Sequence, residues 1–331
     1  MLENIKTMQK QQWIPGGLLA VVILALILMP ALAGRYTVFI LYILFLRIGL
    51  AQSWNLVAGY TGLISLGHAA FFGMGAYTTG MLIIYLGLPF VSSAIAGGLV
   101  AALFSVVISV PTFRFRGIYF AIGTLILAEA LRIWMINWEL TGGAQGLHLP
   151  VASVPSLNVF YYVMLGIAAG TTGLIVVILR MKLGIGLRAI RDNEDVAQNM
   201  GVNTFQTKLY AFSISAFTAG LMGGVHATKL GAIEPYSIFG IAWTTTMINI
   251  VIIGGIGTIT GPIIGAIFLT LLSENLADFY TYHLIITGII LILAIRFMPT
   301  GIWGTIRDSR LATSITKALR PDISEHQAEG I

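Results

Sequence analysis

Cysteine is absent from the 331 residues, which excludes disulfides, zinc-thiolate sites and iron–sulfur clusters. Charged side chains are also scarce, since Asp, Glu, Lys and Arg make up 9% of the residues, against about 25% in soluble domains. Apolar residues fill 57% of the chain, and the mean hydropathy is +0.91. The sequence therefore predicts an integral membrane protein.

Motifs for nucleotide binding and catalysis are missing as well. No GxxxxGK followed by Ser or Thr occurs, so the chain lacks the usual loop for ATP phosphates. HExxH and GxSxG are also absent. We therefore predict that the chain is not an enzyme and binds no metal or cofactor itself. An ATP-driven process would place ATP and Mg²⁺ on a partner ATPase.

Ten apolar segments come close to the roughly 17–25 residues that a membrane-spanning helix needs. They cover about residues 14–33, 36–58, 67–87, 90–112, 118–138, 158–179, 209–230, 241–256, 261–277 and 282–298. Continuous apolar runs favour helices over the alternating strands of a β-barrel. The predicted fold class is all-α, a polytopic membrane protein of about ten transmembrane helices.

The basic residues predict the orientation. An even number of crossings places both chain ends on one side, and with that side inside, fourteen of the eighteen Lys and Arg residues are cytoplasmic. The positive-inside rule therefore predicts N-in and C-in, with 1–13 as a cytoplasmic N-terminus, 14–298 as the membrane domain and 299–331 as a cytoplasmic tail. Glu274 and Asp278 mark the outer boundary of the ninth span. Topology accounts for the pI of about 9.5, so the bilayer is a predicted partner and nucleic acid is not.

The one long polar stretch inside the apolar sequence, residues 180–208, lies between the sixth and seventh spans. Within it, 187–200 is predicted as one amphipathic helix with four apolar residues near one stripe: Leu187, Ile190, Ala197 and Met200. Gly201 fits the position after a helix end, and Asn203 with Gln206 resembles a capping box. Such a helix either inserts into a groove on a partner or lies in solvent or among lipid headgroups.

Glycine interrupts the apolar pattern twice, in GYTGLISLGHAAFFGMGAY (59–77) and GGIGTITGPIIG (254–265). Non-helical backbone in a membrane is tolerated where it is buried in protein or lines a cavity, and paired interruptions point to a translocation path. A compatible alternative is that these glycines let helices pack closely. The candidates for the path or its gate are Gly62, Ser65, Gly67, Gly254, Gly255 and Gly257.

Polar side chains inside spans are further candidates, because intramembrane charges usually face a pathway or a partner. Glu129 and Arg132, three residues apart on one helix, either border the path or form a structural ion pair near the outer interface. His68 either lines the path or hydrogen-bonds a carbonyl freed by the glycine break. Asn249 is a path candidate or joins helices, and Arg47 is a third intramembrane charge.

Residues 189–227, AIRDNEDVAQNMGVNTFQTKLYAFSISAFTAGLMGGVHA, resemble the cytoplasmic loop and following span of ABC-importer permeases of the branched-chain amino acid class. Four further stretches resemble the same family in the same order: GYTGLISLGHAAFFGMGAYT (59–78), RFRGIYFAIGTLILAEALR (114–132), LTGGAQGL (140–147) and GGIGTITGPIIGA (254–266). Each is weak alone, but four in order are specific. The resemblance covers about residues 36–304.

This resemblance implies the larger, type II-like importer permease fold, with 14–298 as the permease domain. In that family the loop corresponding to 180–208 docks on the ATPase subunit. Glu194, Ala197 and Gly201 stand at the Glu, Ala and Gly of its motif, whereas the motif's second Ala is unmatched. The predicted ATPase-coupling residues are Ile190, Glu194, Asp195, Ala197 and Gly201.

The family also implies a homologous second permease, two cytoplasmic ATPase subunits, a periplasmic substrate-binding protein and a place in the bacterial inner membrane. Branched-chain amino acids are the expected cargo, and a zwitterion would suit a path bordered by Glu129 and Arg132. Urea, or another small amino or organic acid, is the alternative for the same machine. A stand-alone secondary transporter is the alternative class, because buried charges and broken helices would serve it equally.

Overall fold

The structure, a computed structural model, describes residues 16–150, 154–276, 283–298 and 300–308. Nearly all of the secondary structure in these residues is helical. The helices are α1 (Gly16–Leu32), α2 (Arg35–Thr61), α3 (His68–Leu86), α4 (Phe90–Thr112), α5 (Ile118–Asn137), α6 (Leu157–Arg180), α7 (Lys182–Asp192), α8 (Glu194–Asn199), α9 (Thr204–Leu230), α10 (Pro235–Ile238), α11 (Ile241–Gly254), α12 (Thr260–Asn275), α13 (His283–Phe297) and α14 (Gly301–Asp308).

Each of the ten apolar segments predicted from the sequence coincides with one long helix, α1 to α6, α9 and α11 to α13. Among the described residues, six helical segments are long and apolar enough to cross a membrane: Arg35–Thr61, His68–Leu86, Phe90–Thr112, Ile118–Asn137, Leu157–Arg180 and Pro235–Gly254. Helices suit these runs because backbone groups in lipid have to bond within their own segment. The predicted all-α, polytopic class is confirmed.

Helix α9 lies at the centre of the bundle and packs against α2, α3 and α4. Small residues allow this approach: a Cβ on Gly220 would press on Ala101, and a Cβ on Gly223 would overlap the backbone of Phe72. Lipid tails are as apolar as the helices, so close van der Waals packing, not exclusion from water, holds such helices together. Glycine within α9 therefore serves packing.

Helix α2 runs beside α9 and also packs against α6, α11 and α12. Its second half carries three completely buried polar residues, Gln52, Ser53 and Asn55. Buried polar groups are almost always hydrogen-bonded, because leaving them unpaired costs free energy. Their partners lie on other helices and define the site described below.

The bundle has two distinct ends. One end, called the sheet end here, carries the only strands in the described residues, Leu147–His148 and Ala232–Ile233, which pair antiparallel with Leu147 opposite Ile233. The backbone N–H of Leu149 also donates to the carbonyl of Gly231 at 2.9 Å. The loop between α5 and α6 and the loop that follows α9 are therefore joined to each other. The opposite end, called the loop end here, carries α7 and α8.

The prediction of one helix over 187–200 is wrong, since the segment forms two helices, α7 and α8, that meet at Asn193. Asn193 is extended, and its side chain accepts a hydrogen bond from the N–H of Val196 at 3.1 Å, which caps α8. The two other predictions for this segment, a helix end before Gly201 and a helix cap at Asn203, are confirmed. Gly201 has a φ of 87°, and the Asn203 side chain accepts from the N–H of Gln206 at 3.0 Å.

The predicted terminal segments are covered only in part. The N-terminus 1–13 lies outside the described residues, as do 309–331 of the predicted tail. The first residues of that tail form α14, which packs against α11 and α12 at the loop end.

Candidate functional site

The first glycine break covers residues 62–67, a narrower stretch than the predicted 59–77. Helix α2 ends at Thr61, and Gly62 follows with a left-handed φ of 76°. Buried side chains hold the non-helical backbone: the indole N–H of Trp54 donates to the carbonyl of Ser65 at 2.8 Å, and the N–H of Leu66 donates to Oγ1 of Thr124 at 3.1 Å. The break is thus a fixed element of the bundle. Gly67, at its end, lies directly against the backbone of Thr124.

His68 opens α3 immediately after this break and is completely buried. Its Nε2 is 2.6 Å from Oγ of Ser215 on α9, and that hydroxyl donates to the carbonyl of Ser53 on α2 at 2.7 Å. The partner is therefore a hydroxyl on another helix, not the freed carbonyl that was expected. His68 joins α2, α3 and α9, whereas its Nδ1 and Oγ of Ser65 have no hydrogen-bond partner within the described part of the chain.

The second break covers residues 255–259, between α11 and α12. The side chains of α2 supply the hydrogen bonds that the interrupted helix lacks. Nε2 of Gln52 donates to the carbonyl of Ile259 at 2.7 Å, and Nδ2 of Asn55 donates to the carbonyl of Thr258 at 2.8 Å. Oδ1 of Asn55 accepts from the N–H of Gly257 at 2.9 Å. The chain therefore satisfies this backbone within the protein, as a membrane interior requires.

Helix α7 reaches both breaks through Arg191. Its Nη1 donates to the carbonyl of Gly59 at 2.6 Å, in the last turn of α2 before the first break. A Cβ on Gly257 of the second break would collide with the same Nη1. Gly257 also has a φ of 73°, a conformation that costs other residues about 1–2 kcal/mol. One arginine thus ties the polar segment to both interrupted backbones.

The apolar stripe of the polar segment faces its own chain. Leu187, Ile190 and Ala197 are each at most 4% exposed, so they are not available to a partner in this conformation. Of the four stripe residues, Met200 is the exposed one, at 81%. A partner that approached this end would instead meet Met200 and the half-exposed Val196.

The two acidic coupling candidates point in different directions. Oε1 of Glu194 is 2.5 Å from Nζ of Lys208, whose side chain is only 5% exposed and whose ammonium lies 5.3 Å from the ring centroid of Phe113. Asp195 pairs with Arg116 at 3.0 Å, but both side chains are about two-thirds exposed. The hydrogen bond and charge of Asp195 raise the pKa of Arg116 above its ordinary value. Glu194 therefore anchors α8, whereas Asp195 remains at the surface.

A comparison with known families identifies the chain. The model of the family described as "Branched-chain amino acid transport system / permease component" matches residues 36–295. The chain belongs to this family of permeases. The family resemblance inferred from the sequence is confirmed.

Curated relatives of the permease agree. It is 31% identical over 315 residues to the high-affinity branched-chain amino acid transport system permease protein LivM of Escherichia coli K12, covering 86% of this chain and 74% of LivM. It is 25% identical to LivH of the same organism, covering 77% of this chain and 90% of LivH. The autoinducer 2 import system permease protein LsrC of Yersinia enterocolitica is 27% identical over 65% of this chain and 62% of LsrC. No solved structure is significantly similar to the permease.

Three of the remaining path candidates lie within helices and not in the breaks. Glu129 and Arg132 form the predicted ion pair on α5 of the permease, and the guanidinium of Arg132 lies 5.0 Å from the ring centroid of Tyr236, at the sheet end. Glu129 is half exposed, and Asn249 lies half-buried within α11. Gly255 lies in the second break, and Gly254 is the last residue of α11 before it. Whether Glu129, Arg132 and Asn249 border a path stays a prediction.

Sequence reasoning missed the residues that join the breaks to the rest of the permease. Gln52 and Asn55 bond to backbone about two hundred positions away, a pairing that no local pattern encodes. One feature of the sequence could have indicated Arg191. It lies four residues after Leu187, and residues four apart lie near the same face of a helix. Within the described residues, no three His, Cys, Asp or Glu side chains gather into a group able to hold a metal ion.

Proposed function

We propose that this permease forms the membrane path of an ATP-driven importer of branched-chain amino acids. The names of the LivM and LivH relatives support this cargo. LsrC, named for a different cargo, shows that relatives of this chain are not restricted to amino acids. Because the chain lacks a phosphate-binding GxxxxGK loop, partner subunits hydrolyse the ATP.

One observation carries the mechanism: Arg191 of α7 donates to Gly59 and lies against Gly257, so the polar segment touches both helix breaks. A force applied to α7 and α8 by an ATPase therefore reaches the ends of α2, α11 and α12 directly. Interrupted helices are the places where transporter bundles rearrange, and here side-chain hydrogen bonds, which a shift of α7 can move, hold both breaks. Closure of the ATPase would shift these ends and open the path alternately outward and inward.

The proposal includes the arrangement in the membrane. The permease crosses the bacterial inner membrane about ten times, with both ends and the 180–208 coupling loop in the cytoplasm, in the larger type II-like fold. The ten long helices and the distribution of Lys and Arg support it.

Single-cysteine labelling tests this arrangement, because the chain has no native cysteine. Gln145→Cys at the sheet end and Met200→Cys at the loop end are both exposed. A membrane-impermeant maleimide should label Gln145→Cys in spheroplasts, and Met200→Cys only after the membrane is opened. The reverse pattern would invert the topology.

The proposed partners are a homologous second permease, two cytoplasmic ATPase subunits and a periplasmic substrate-binding protein. The ATPase would contact the exposed side of the loop end, at Asp195, Val196 and Met200. The binding protein would dock at the sheet end, where the two joined loops lie.

Isolation of the native complex tests the function. The tagged full chain is purified from its own membranes, and the assembly is reconstituted into proteoliposomes with the candidate binding protein. We expect ATPase subunits to copurify, and we expect L-leucine uptake that requires ATP inside the vesicles. Urea and aromatic acids, tested in the same assay, decide the alternative cargoes. Uptake by the isolated chain under an ion gradient without ATP would instead establish a secondary transporter.

A further inference from the structure

A cleft between α2 and α12 holds two opposite charges that the proposed mechanism does not use. Its volume is about 200 Å³, and its walls include Arg47, Ile40 and Ile43 from α2 and Thr270, Ser273 and Glu274 from α12. Since liquid water occupies about 30 Å³ per molecule, this space corresponds to about seven waters. The cleft therefore has room for a small metabolite.

The floor of the cleft is a charged donor group. Arg47 and Thr270 are the lining residues closest to the loop end on their helices, and Nη1 of Arg47 donates to Oγ1 of Thr270 at 3.1 Å. Arg47 lies about 18 Å along α2 from its first residue, at 1.5 Å per residue. A charge this far into a span is costly unless it faces a partner or a hydrated cavity. Here it faces the cleft.

Glu274 lies one turn further towards the sheet end, about 6 Å along α12 from Thr270 and on the same face. In the described parts of the chain, neither Glu274 nor Arg47 forms an ion pair, although both line the same cleft. The two charges are thus separated along the cleft, with Ser273 next to Glu274 on α12 and the aliphatic side chains of Ile40 and Ile43 beside Arg47 on α2.

We propose that this cleft binds a small aliphatic amino acid as it passes through the permease, which rests on the proposed function. The guanidinium of Arg47 and the hydroxyl of Thr270 bind the α-carboxylate, because a guanidinium matches a carboxylate in charge and geometry. The carboxylate of Glu274 binds the α-ammonium, and Ile40 and Ile43 contact the side chain. A neutral cargo such as urea would leave both charges unpaired, and a monocarboxylate would leave Glu274 unpaired.

The headgroup of phosphatidylethanolamine has the same chemistry, an anion and a primary ammonium close together. We assign the cleft to the amino acid, because Ile40 and Ile43 provide an apolar wall beside the charges, inside the cleft, for which a headgroup has no matching group. The two sources are separated below by the lipid composition.

Binding of radiolabelled L-leucine to the purified full chain is measured by equilibrium dialysis in nanodiscs of phosphatidylcholine and phosphatidylglycerol. Unlabelled L-leucine should displace the label better than 4-methylpentanoate or 3-methylbutylamine, which lack the ammonium and the carboxylate, respectively. Equal displacement by the three competitors would overturn the proposal, and this test needs no variant of the chain. Replacing phosphatidylcholine by phosphatidylethanolamine should leave leucine binding unchanged, and loss of binding there would assign the cleft to lipid.

Two variants assign the charges. Arg47→Gln should weaken L-leucine and 4-methylpentanoate by about tenfold or more, the range expected for loss of a charged hydrogen bond. Glu274→Gln should weaken L-leucine and 3-methylbutylamine, which carry the ammonium, and leave 4-methylpentanoate unchanged. Arg35→Gln, at the exposed start of the same helix, and Glu139→Gln, exposed at the sheet end, are the matched controls and should bind like the parent chain. Leucine affinity unchanged in both cleft variants would contradict the assignment.

Arg47→Lys is a second variant in case Arg47→Gln does not fold. It keeps the positive charge but lacks the planar guanidinium, so it should retain part of the affinity for L-leucine and for 4-methylpentanoate. ATP-dependent leucine uptake by the complex separates the two proposals. Normal uptake with Arg47→Gln would overturn the cleft assignment alone, whereas absence of leucine uptake by the unmodified complex would overturn the proposed cargo.

Discussion

The two sides of the 180–208 segment are held in different ways. On the side that faces the bundle, Ile190 and Ala197 are buried, Glu194 pairs with nearly buried Lys208, and Arg191 bonds to the end of α2. On the opposite side, Asp195 pairs with Arg116 in solvent and Met200 is exposed. Even the adjacent residues Glu194 and Asp195 therefore belong to two different surfaces.

This difference separates two roles that a sequence motif combines. Glu194, Ala197 and Gly201 are ATPase-docking residues only by prediction from the resemblance, and the first two are occupied by contacts within the chain. They position α8, and the residues between and beside them remain for a partner to contact. A rigid inner side and a free outer side are what a transmitting element needs. The following changes test each side in turn.

The largest effect is expected from Glu194→Ala. This change leaves the ammonium of Lys208 buried without its partner, and breaking a buried ion pair costs about 3–5 kcal/mol. Because the Glu194 side chain is 25% exposed, we expect about 2–3 kcal/mol here after solvent screening. The measurement is the loss of stability of the detergent-solubilised permease in thermal unfolding, together with its ATP-dependent uptake.

The double variant Glu194→Ala with Lys208→Met is its control. Methionine removes the stranded charge and keeps much of the side-chain volume, so it should restore most of the lost stability. If the single variant is as stable as the parent chain, the ion pair does not anchor α8.

Arg191→Ala is expected to have the next largest effect, on transport and not on assembly. Loss of a hydrogen bond to a charged donor is worth about 1.5–3 kcal/mol, which corresponds to roughly a tenfold or larger fall in uptake if that contact transmits the motion. The amount of copurified ATPase should stay the same. Arg188→Ala, three residues earlier on α7 and exposed, is the matched control. A parallel fall of ATPase association with uptake would place Arg191 at the partner surface instead.

The sequence was enough to predict where the helices are, but not which side chains bond to the breaks between them. Apolar runs predicted all ten long helices, because hydrophobicity and length are local properties. Glycine clusters predicted both breaks, although the non-helical parts are only 62–67 and 255–259. The partners of those breaks, Gln52, Asn55 and Arg191, could not be predicted, because they depend on how distant helices pack.

The wrong prediction of a single helix over 187–200 has an identifiable cause. A continuous apolar stripe favoured one helix, but Asn193 followed by Glu194 and Asp195 is also a helix start, with a cap and acidic residues in the first turn. The cap prevailed because Leu187, Ile190 and Ala197 can all be buried when α7 and α8 meet at an angle. The same pattern gave, as one of two alternatives, a stripe that contacts a partner.

Met200→Asp tests the outer side. The side chain is 81% exposed, so the change should leave thermal unfolding as it is. If Met200 lies at the ATPase interface, burying a new carboxylate there should weaken association several-fold, as desolvated charges do in interfaces. The measurement is ATPase binding to the permease in nanodiscs. Gln198→Asp, also exposed on α8, serves as a control for added charge near the same surface.

The smallest effect is expected from Asp195→Asn. Both partners of the Arg116–Asp195 pair are about two-thirds exposed, and exposed ion pairs contribute little because water and salt screen them. The unfolding midpoint should therefore not change measurably, in contrast to Glu194→Ala one residue earlier. Any loss of uptake in this variant would have to come from a partner contact, and added salt should weaken ATPase binding to the parent chain in the same way. A destabilised Asp195→Asn would mean that the two sides of the segment are not as different as their exposure indicates.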